Sequence, residues 1–188
     1  MRPSVRTDHL KRLTLSAMFL AMGMVLPLFF GQIPQIGSML LPMHIPVFLC
    51  AFICGWHYAV PMAALLPLLR SLLFARPNFY PEAIAIACEM AAYALVAGLL
   101  YQRAARASMG AIYQSMVVAM VAGRVLRVAV QLALLGLGGI PFALGAVLAA
   151  TVVVGLPGTV LQLIVVPAAM LMLYRTKLVT LGASKQEK

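Results

Sequence analysis

The tract SMLLPMHIPVFLCAFICGWHYAVPMAALLPLLRSLLF, residues 38–74, holds one arginine (Arg70), two histidines and no acid. A helix rises about 1.5 Å per residue and the hydrocarbon core of a bilayer is about 30 Å thick, so about 20 apolar residues make one crossing. The tract is much longer than that, and GWHY at residues 55–58 offers a place to turn back. Further apolar runs follow along the chain. With 64% hydrophobic and only 10% charged residues, it does not suit a water-soluble globule, whose charged share is about a quarter. The polar–apolar alternation of a membrane β-barrel is not visible. The expectation is an all-α integral membrane protein, one membrane domain over residues 1–188, with short tails at 1–10 and 178–188.

Six crossings fit the pattern best. The first covers 11–30, and GQIPQIGSMLLP at 31–42 follows as a Gly- and Pro-rich loop. A short second span begins near 43, and a third ends near 74. ARPNFYP makes the next turn, and Pro81 suits a first helical position. The fourth span covers 81–101, QRAARASMG is a basic connector, and the fifth span covers 111–135. GLGGIP breaks that helix. A last crossing starts near Pro157, after an apolar stretch interrupted by GLPG at 155–158. Basic residues decide between six spans and seven. Arg2, Arg6, Lys11 and Arg12 precede span one, Arg103 and Arg106 lie between spans four and five, and Arg175, Lys177, Lys185 and Lys188 follow the last. Six spans put every cluster on one side, which the positive-inside rule makes cytoplasmic. Both termini are then inside, in a six-transmembrane-helix bundle. The first apolar run is long for a secretory signal and lacks a clear cleavage site, so it reads as a retained span.

The net charge of +10 does not point to nucleic acid, because the cations sit between apolar runs and not on a soluble face with interleaved aromatics. Cys50 and Cys54 share a helix face, but these and Cys88 lie in apolar runs and read as packing residues. No metal site is expected. Trp56 reads as an interfacial anchor.

The charges inside the spans are the informative ones, because an ionisable group in lipid is costly unless it pairs or faces a cavity. Arg70 is placed roughly 6 Å below the outer end of span three, and Glu89 about 12 Å below that of span four. Arg127 and Gln131 fall roughly 12 and 6 Å from the outer end of span five, with Arg124 nearer the middle. Gln162 is in the outer half of span six, and His44 near the start of span two. Arg124, Arg127 and Gln131 share one helix face, as do Glu82, Glu89 and Tyr93. Glu89 and Arg127 match in depth and can pair. This predicts a polar pocket open to the outside, above an apolar plug, lined by His44, Arg70, Glu89, Tyr93, Arg124, Arg127, Gln131 and Gln162. Its cationic excess favours an anionic or carboxylate ligand. No phosphate-binding G-x-x-x-x-G-K-[ST], no zinc-binding H-E-x-x-H and no G-x-S-x-G is present. The chain therefore reads as a binding subunit that borrows its energy, or a small uniporter.

Three features carry a resemblance. AMFLA at 17–21 places Ala17 and Ala21 four residues apart, a spacing that lets helices approach closely. LLPMHIPVFLCAFICG at 40–55 sets a polar residue and a proline before an apolar run, and LPGTVLQLIVVPAAMLMLYR follows a Gly/Pro-broken segment. The chain resembles the substrate-binding S components of energy-coupling-factor (ECF) vitamin transporters, six-span bacterial plasma-membrane proteins of this size. The resemblance implies capture of a vitamin from outside by spans four to six, with the first loop as a lid. It implies docking through Ala17 and Ala21 on a transmembrane coupling subunit, then rotation in the membrane driven by two partner ATPases, so that ATP is hydrolysed by the partners and no cofactor belongs to this chain. No signature of a riboflavin, thiamine or biotin subtype is present, and the charge excess leans to a carboxylate such as pantothenate. The competing readings are a structural assembly subunit without ligand, and an intramembrane enzyme with Glu89 and Arg127 as acid/base and anion clamp.

Overall fold

The computed structural model describes residues 5–30, 42–104, 108–139, 143–149, 151 and 154–176. The expected lid loop (apart from Pro42), Arg106 and the tail at 178–188 lie outside the described residues. Among the described residues every regular element is helical: α1 (Val5–Phe30), α2 (His44–Ile53), α3 (Trp56–Phe74), α4 (Ile84–Arg103), α5 (Met109–Leu137), the short α6 (Leu144–Leu148) and α7 (Leu156–Arg175). A tight lead-in, Phe79–Ala83, precedes α4. Among the described residues, five segments are long and apolar enough to cross a membrane: Asp8–Phe29, Trp56–Phe74, Phe79–Arg103, Met109–Leu137 and Leu156–Arg175.

Two expected boundaries shift. Residues 5–10, expected in a soluble tail, already belong to α1. Asp8 lies in its first turn, where a carboxylate meets the positive end of the helix dipole. The expected second span is represented by α2, whose 10 residues extend only about 15 Å. Its apolar length covers half a bilayer.

The turn between α2 and α3 is fixed by Gly55, whose φ of 91° lies where a side chain is strained. Close packing elsewhere also depends on missing side chains. A Cβ on Gly98 of α4 would stand 2.8 Å from the Cβ of Trp56 and 3.1 Å from its backbone N. A Cβ on Gly123 of α5 would collide with the ring of Tyr93 and come within 3.0 Å of the Glu89 carbonyl. Relieving such a clash in a packed core costs about 1–3 kcal/mol. The two glycines thus let α4 lie against its neighbours, and Gly123 seats Tyr93 beside α5. Ser108 caps α5 by accepting a 3.3 Å bond from the Ala111 N–H.

The helices alternate in direction, so sequence order sorts residues by height. At one end stand the N-termini of α2, α4 and α7 and the C-terminal half of α5. Tyr80 in the lead-in marks it by donating its hydroxyl proton to the Leu134 carbonyl. Towards the other end the space fills with Phe48, Phe52, Ala97, Ile112, Met116, Ala119, Met120, Val166 and Met170, all buried and in one cluster. Phe52 and Tyr101 meet edge to face at 5.0 Å between ring centres. A second apolar cluster, with Val47, Cys50, Ala51, Cys54, Met62, Leu66 and Met90, joins α2, α3 and α4. Cys50 and Cys54 are part of this packing.

Candidate functional site

Glu89 lies on the second turn of α4, and its side chain is fully buried. An isolated carboxylate there would be prohibitively costly. It survives because four groups surround it. Arg127 Nη1 donates to Oε2 at 3.0 Å. Arg124 Nε stands 3.3 Å from Oε1. The Tyr93 hydroxyl donates to Oε1 at 2.7 Å. His44 Nε2 lies 3.9 Å from Oε2, and its ring centre is 5.5 Å from that of Tyr93. Among the described residues, every ion pair ends on this one carboxylate.

The arrangement follows from helical spacing. Residues three apart on α5 project from one face, so Arg124 and Arg127 both reach Glu89. Tyr93, four residues after Glu89, lies on the same α4 face and folds back onto it. His44 is the first residue of α2 and is fully buried. The depth match read from the sequence between Glu89 and Arg127 is therefore a direct contact.

Arg124 makes further bonds. Its Nη1 donates to the Thr151 carbonyl at 2.5 Å, and its Nη2 approaches the Gly155 carbonyl at 3.5 Å and Thr159 Oγ1 at 3.4 Å. These partners bring in the stretch before α7 and its first turn. Sequence reasoning did not single out Thr151 or Thr159. The available signal was two hydroxyls in an otherwise apolar tract.

Several polar atoms near this cluster are buried without a hydrogen-bond partner: Arg127 Nε, Gln131 Oε1, Thr151 Oγ1 and Gln162 Nε2. Gln131 is one turn beyond Arg127 on α5. Gln162 is three residues beyond Thr159 on α7 and only 2% exposed. Such atoms normally find partners, so a set on three adjoining segments is a feature to explain.

Arg70 is placed elsewhere. It is buried, but its Nη1 donates to the Met24 carbonyl of α1 at 3.0 Å, and its guanidinium lies 5.7 Å from the Phe74 ring centre. Among the described residues no ion pair links it to Glu89. Pro27 has no N–H, so the Gly23 carbonyl lacks its helical donor, one residue before the carbonyl that Arg70 reaches. A Cβ on Gly23 would press on Leu66 of α3 at 2.6 Å, so the two helices are close enough for Arg70 to reach the α1 backbone. Ala17 and Ala21 are both exposed on α1, away from the cluster.

A carboxylate thus lies between two guanidinium groups, over an apolar floor and among helices long enough to cross a membrane. The family described as "ECF transporter, substrate-specific component" matches residues 11–170. The chain belongs to that family. No curated protein and no solved structure matches it. As a substrate-specific component it is a multi-pass membrane subunit of a transporter, and its family is one of binding subunits and not a class of enzymes. Glu89, Arg124, Arg127 and Gln162 all lie within that range.

Proposed function

We propose that this substrate-specific component captures a small carboxylate micronutrient, such as pantothenate or a similar vitamin precursor, from outside a bacterial cell. The observation that carries this reading is the buried Glu89–Arg127 pair beside four unsatisfied polar atoms. Two guanidinium groups face one carboxylate, so one positive charge is left for a ligand anion. Arg127 Nε and Gln162 Nε2 supply donors, while Gln131 Oε1 and Thr151 Oγ1 supply acceptors. His44 and Tyr93 wall the site. The apolar floor below it, with Phe48, Met116 and Met170, excludes water and closes the route inward.

In this reading the chain crosses the membrane six times with both termini in the cytoplasm, α2 being the second of the six. The polar end then faces outward. A transmembrane coupling subunit docks on α1 at Ala17 and Ala21, and two cytoplasmic ATPases supply the energy. The chain itself needs no cofactor.

Protein purified in mild detergent, then released into native mass spectrometry, is expected to carry one small carboxylic acid per chain. Adding that acid at about 100 times its dissociation constant should stabilise the fold by about 2.7 kcal/mol. A chain that emerges bare, and that no carboxylate stabilises, favours an assembly subunit without ligand. Docking is tested separately. Replacing Ala17 and Ala21 together by Leu should leave ligand retention unchanged and stop uptake by cells, because the helices can no longer approach closely. Uptake at the normal rate would remove this patch from the interface.

A further inference from the structure

Two arginines on one helix face touch the same carboxylate, yet they spend their remaining donors differently. Arg127 keeps a buried Nε with no partner. Arg124 has all three nitrogens engaged: Nε with Glu89, Nη1 with the Thr151 carbonyl, and Nη2 with the Gly155 carbonyl and Thr159 Oγ1. A guanidinium is a planar fork, so a shift that brings one edge to a new acceptor moves the other edge too. The fit at Gly155 is tight, since a Cβ there would stand 2.5 Å from Arg124 Nη2. Thr151, whose carbonyl Arg124 holds, is 1% exposed and carries one of the unsatisfied hydroxyls.

We propose that Arg124 is a positioning residue: it links Glu89 to the backbone at Thr151 and Gly155, so that a change in the partners of Glu89 moves the Thr151 hydroxyl. The inference rests on the proposed binding role only for its purpose. A ligand anion that draws Arg127 towards itself leaves Glu89 held chiefly by Arg124. That strengthens the Arg124 tie and fixes the Thr151 hydroxyl where the ligand can bond it. Arg127 meets the ligand, and Arg124 aligns the segment that completes its surroundings.

Hydrogen–deuterium exchange on the full chain in lipid nanodiscs tests this without any ligand. The reporters are the amides of Val154 and Thr159, which donate to Ala149 and Gly155 at 3.1 and 3.0 Å. Arg124→Gln should speed their exchange roughly tenfold or more, the effect of losing a charge-assisted bond that holds the segment. Arg127→Gln removes one partner of Glu89 and leaves it held chiefly by Arg124, so it should slow their exchange about twofold or more. Glu89→Asp keeps the charge but withdraws the carboxylate by one methylene. It should also speed exchange at Val154 and Thr159, although Glu89 touches neither. In the Arg124→Gln background Glu89→Asp should add nothing, as expected when two residues act in one chain of contacts. Exchange unaltered in Arg124→Gln overturns the proposal. So does a Glu89→Asp effect that persists without Arg124, or the lack of any Glu89→Asp effect with Arg124 present. Arg124→Lys guards against a general folding defect. One ammonium cannot span the same acceptors, so it should speed exchange at Val154 and Thr159 while leaving α1 to α3 protected. Equal loss of protection throughout the chain would also overturn the proposal. Absence of a co-purified acid would instead count against the binding role and leave these exchange results standing.

Discussion

Arg127→Ala is expected to abolish ligand retention while the protein still inserts and folds. Removing one partner from a buried, hydrogen-bonded charge pair costs about 2–5 kcal/mol of binding, or roughly thirtyfold to several thousandfold in affinity. The fold should tolerate the change better than the site does. Glu89 keeps Arg124 at 3.3 Å and the Tyr93 hydroxyl at 2.7 Å, so its charge remains compensated. The measurement is calorimetric titration of the variant with the acid recovered from the wild-type protein. Affinity equal to wild type would take Arg127 out of the site. Arg127→Lys is expected to recover only part of the loss, because an ammonium cannot offer a planar pair of donors to a carboxylate.

Glu89→Ala is expected to be the most damaging single change to stability. It leaves two guanidinium groups on one face of α5, partly buried and without their shared counter-charge. Breaking a buried pair by removing one partner costs about 3–5 kcal/mol. For a chain of this length that corresponds to a fall in Tm of about 10 °C. The sign is checked by a compensating variant. Glu89→Gln combined with Arg127→Gln removes one charge of each sign, leaves Arg124 with its backbone acceptors, and should regain most of the lost stability without regaining ligand. A Glu89→Ala protein that melts with the wild type would mean that water, and not Glu89, compensates the arginines.

Much of this arrangement could be read from the sequence. Apolar runs gave the helices, and the break at GWHY coincides with the Gly55 turn. The contact of Glu89 with Arg127 followed from counting residues along two antiparallel helices. Arg70 was not legible in the same way. Its partner is the backbone carbonyl of Met24, and every residue carries a carbonyl, so a side-chain inventory cannot point to one. Thr151 was missed because the stretch between spans five and six offered no consistent helical register, so no depth could be assigned to it; Thr159 lies inside span six, but its neutral hydroxyl was passed over in a search for charged side chains. The short α2 was anticipated as a short span. Its ten residues stop just before the Gly55 turn.

The floor beneath the site has a chemical consequence of its own. Met62, Met90, Met116, Met120 and Met170 are buried, whereas Met18, Met22 and Met172 lie on the perimeter. Thioethers are the softest and most easily oxidised groups in such an interior, and each sulfoxide would set a strong dipole among hydrocarbon side chains. An oxidant arriving through the lipid would spend itself first on the outer three sulfurs, where the new oxygen disturbs little. Damage to Met116, Met120 or Met170, which belong to the floor, would let water follow the dipoles, and the seal beneath Glu89 would begin to leak.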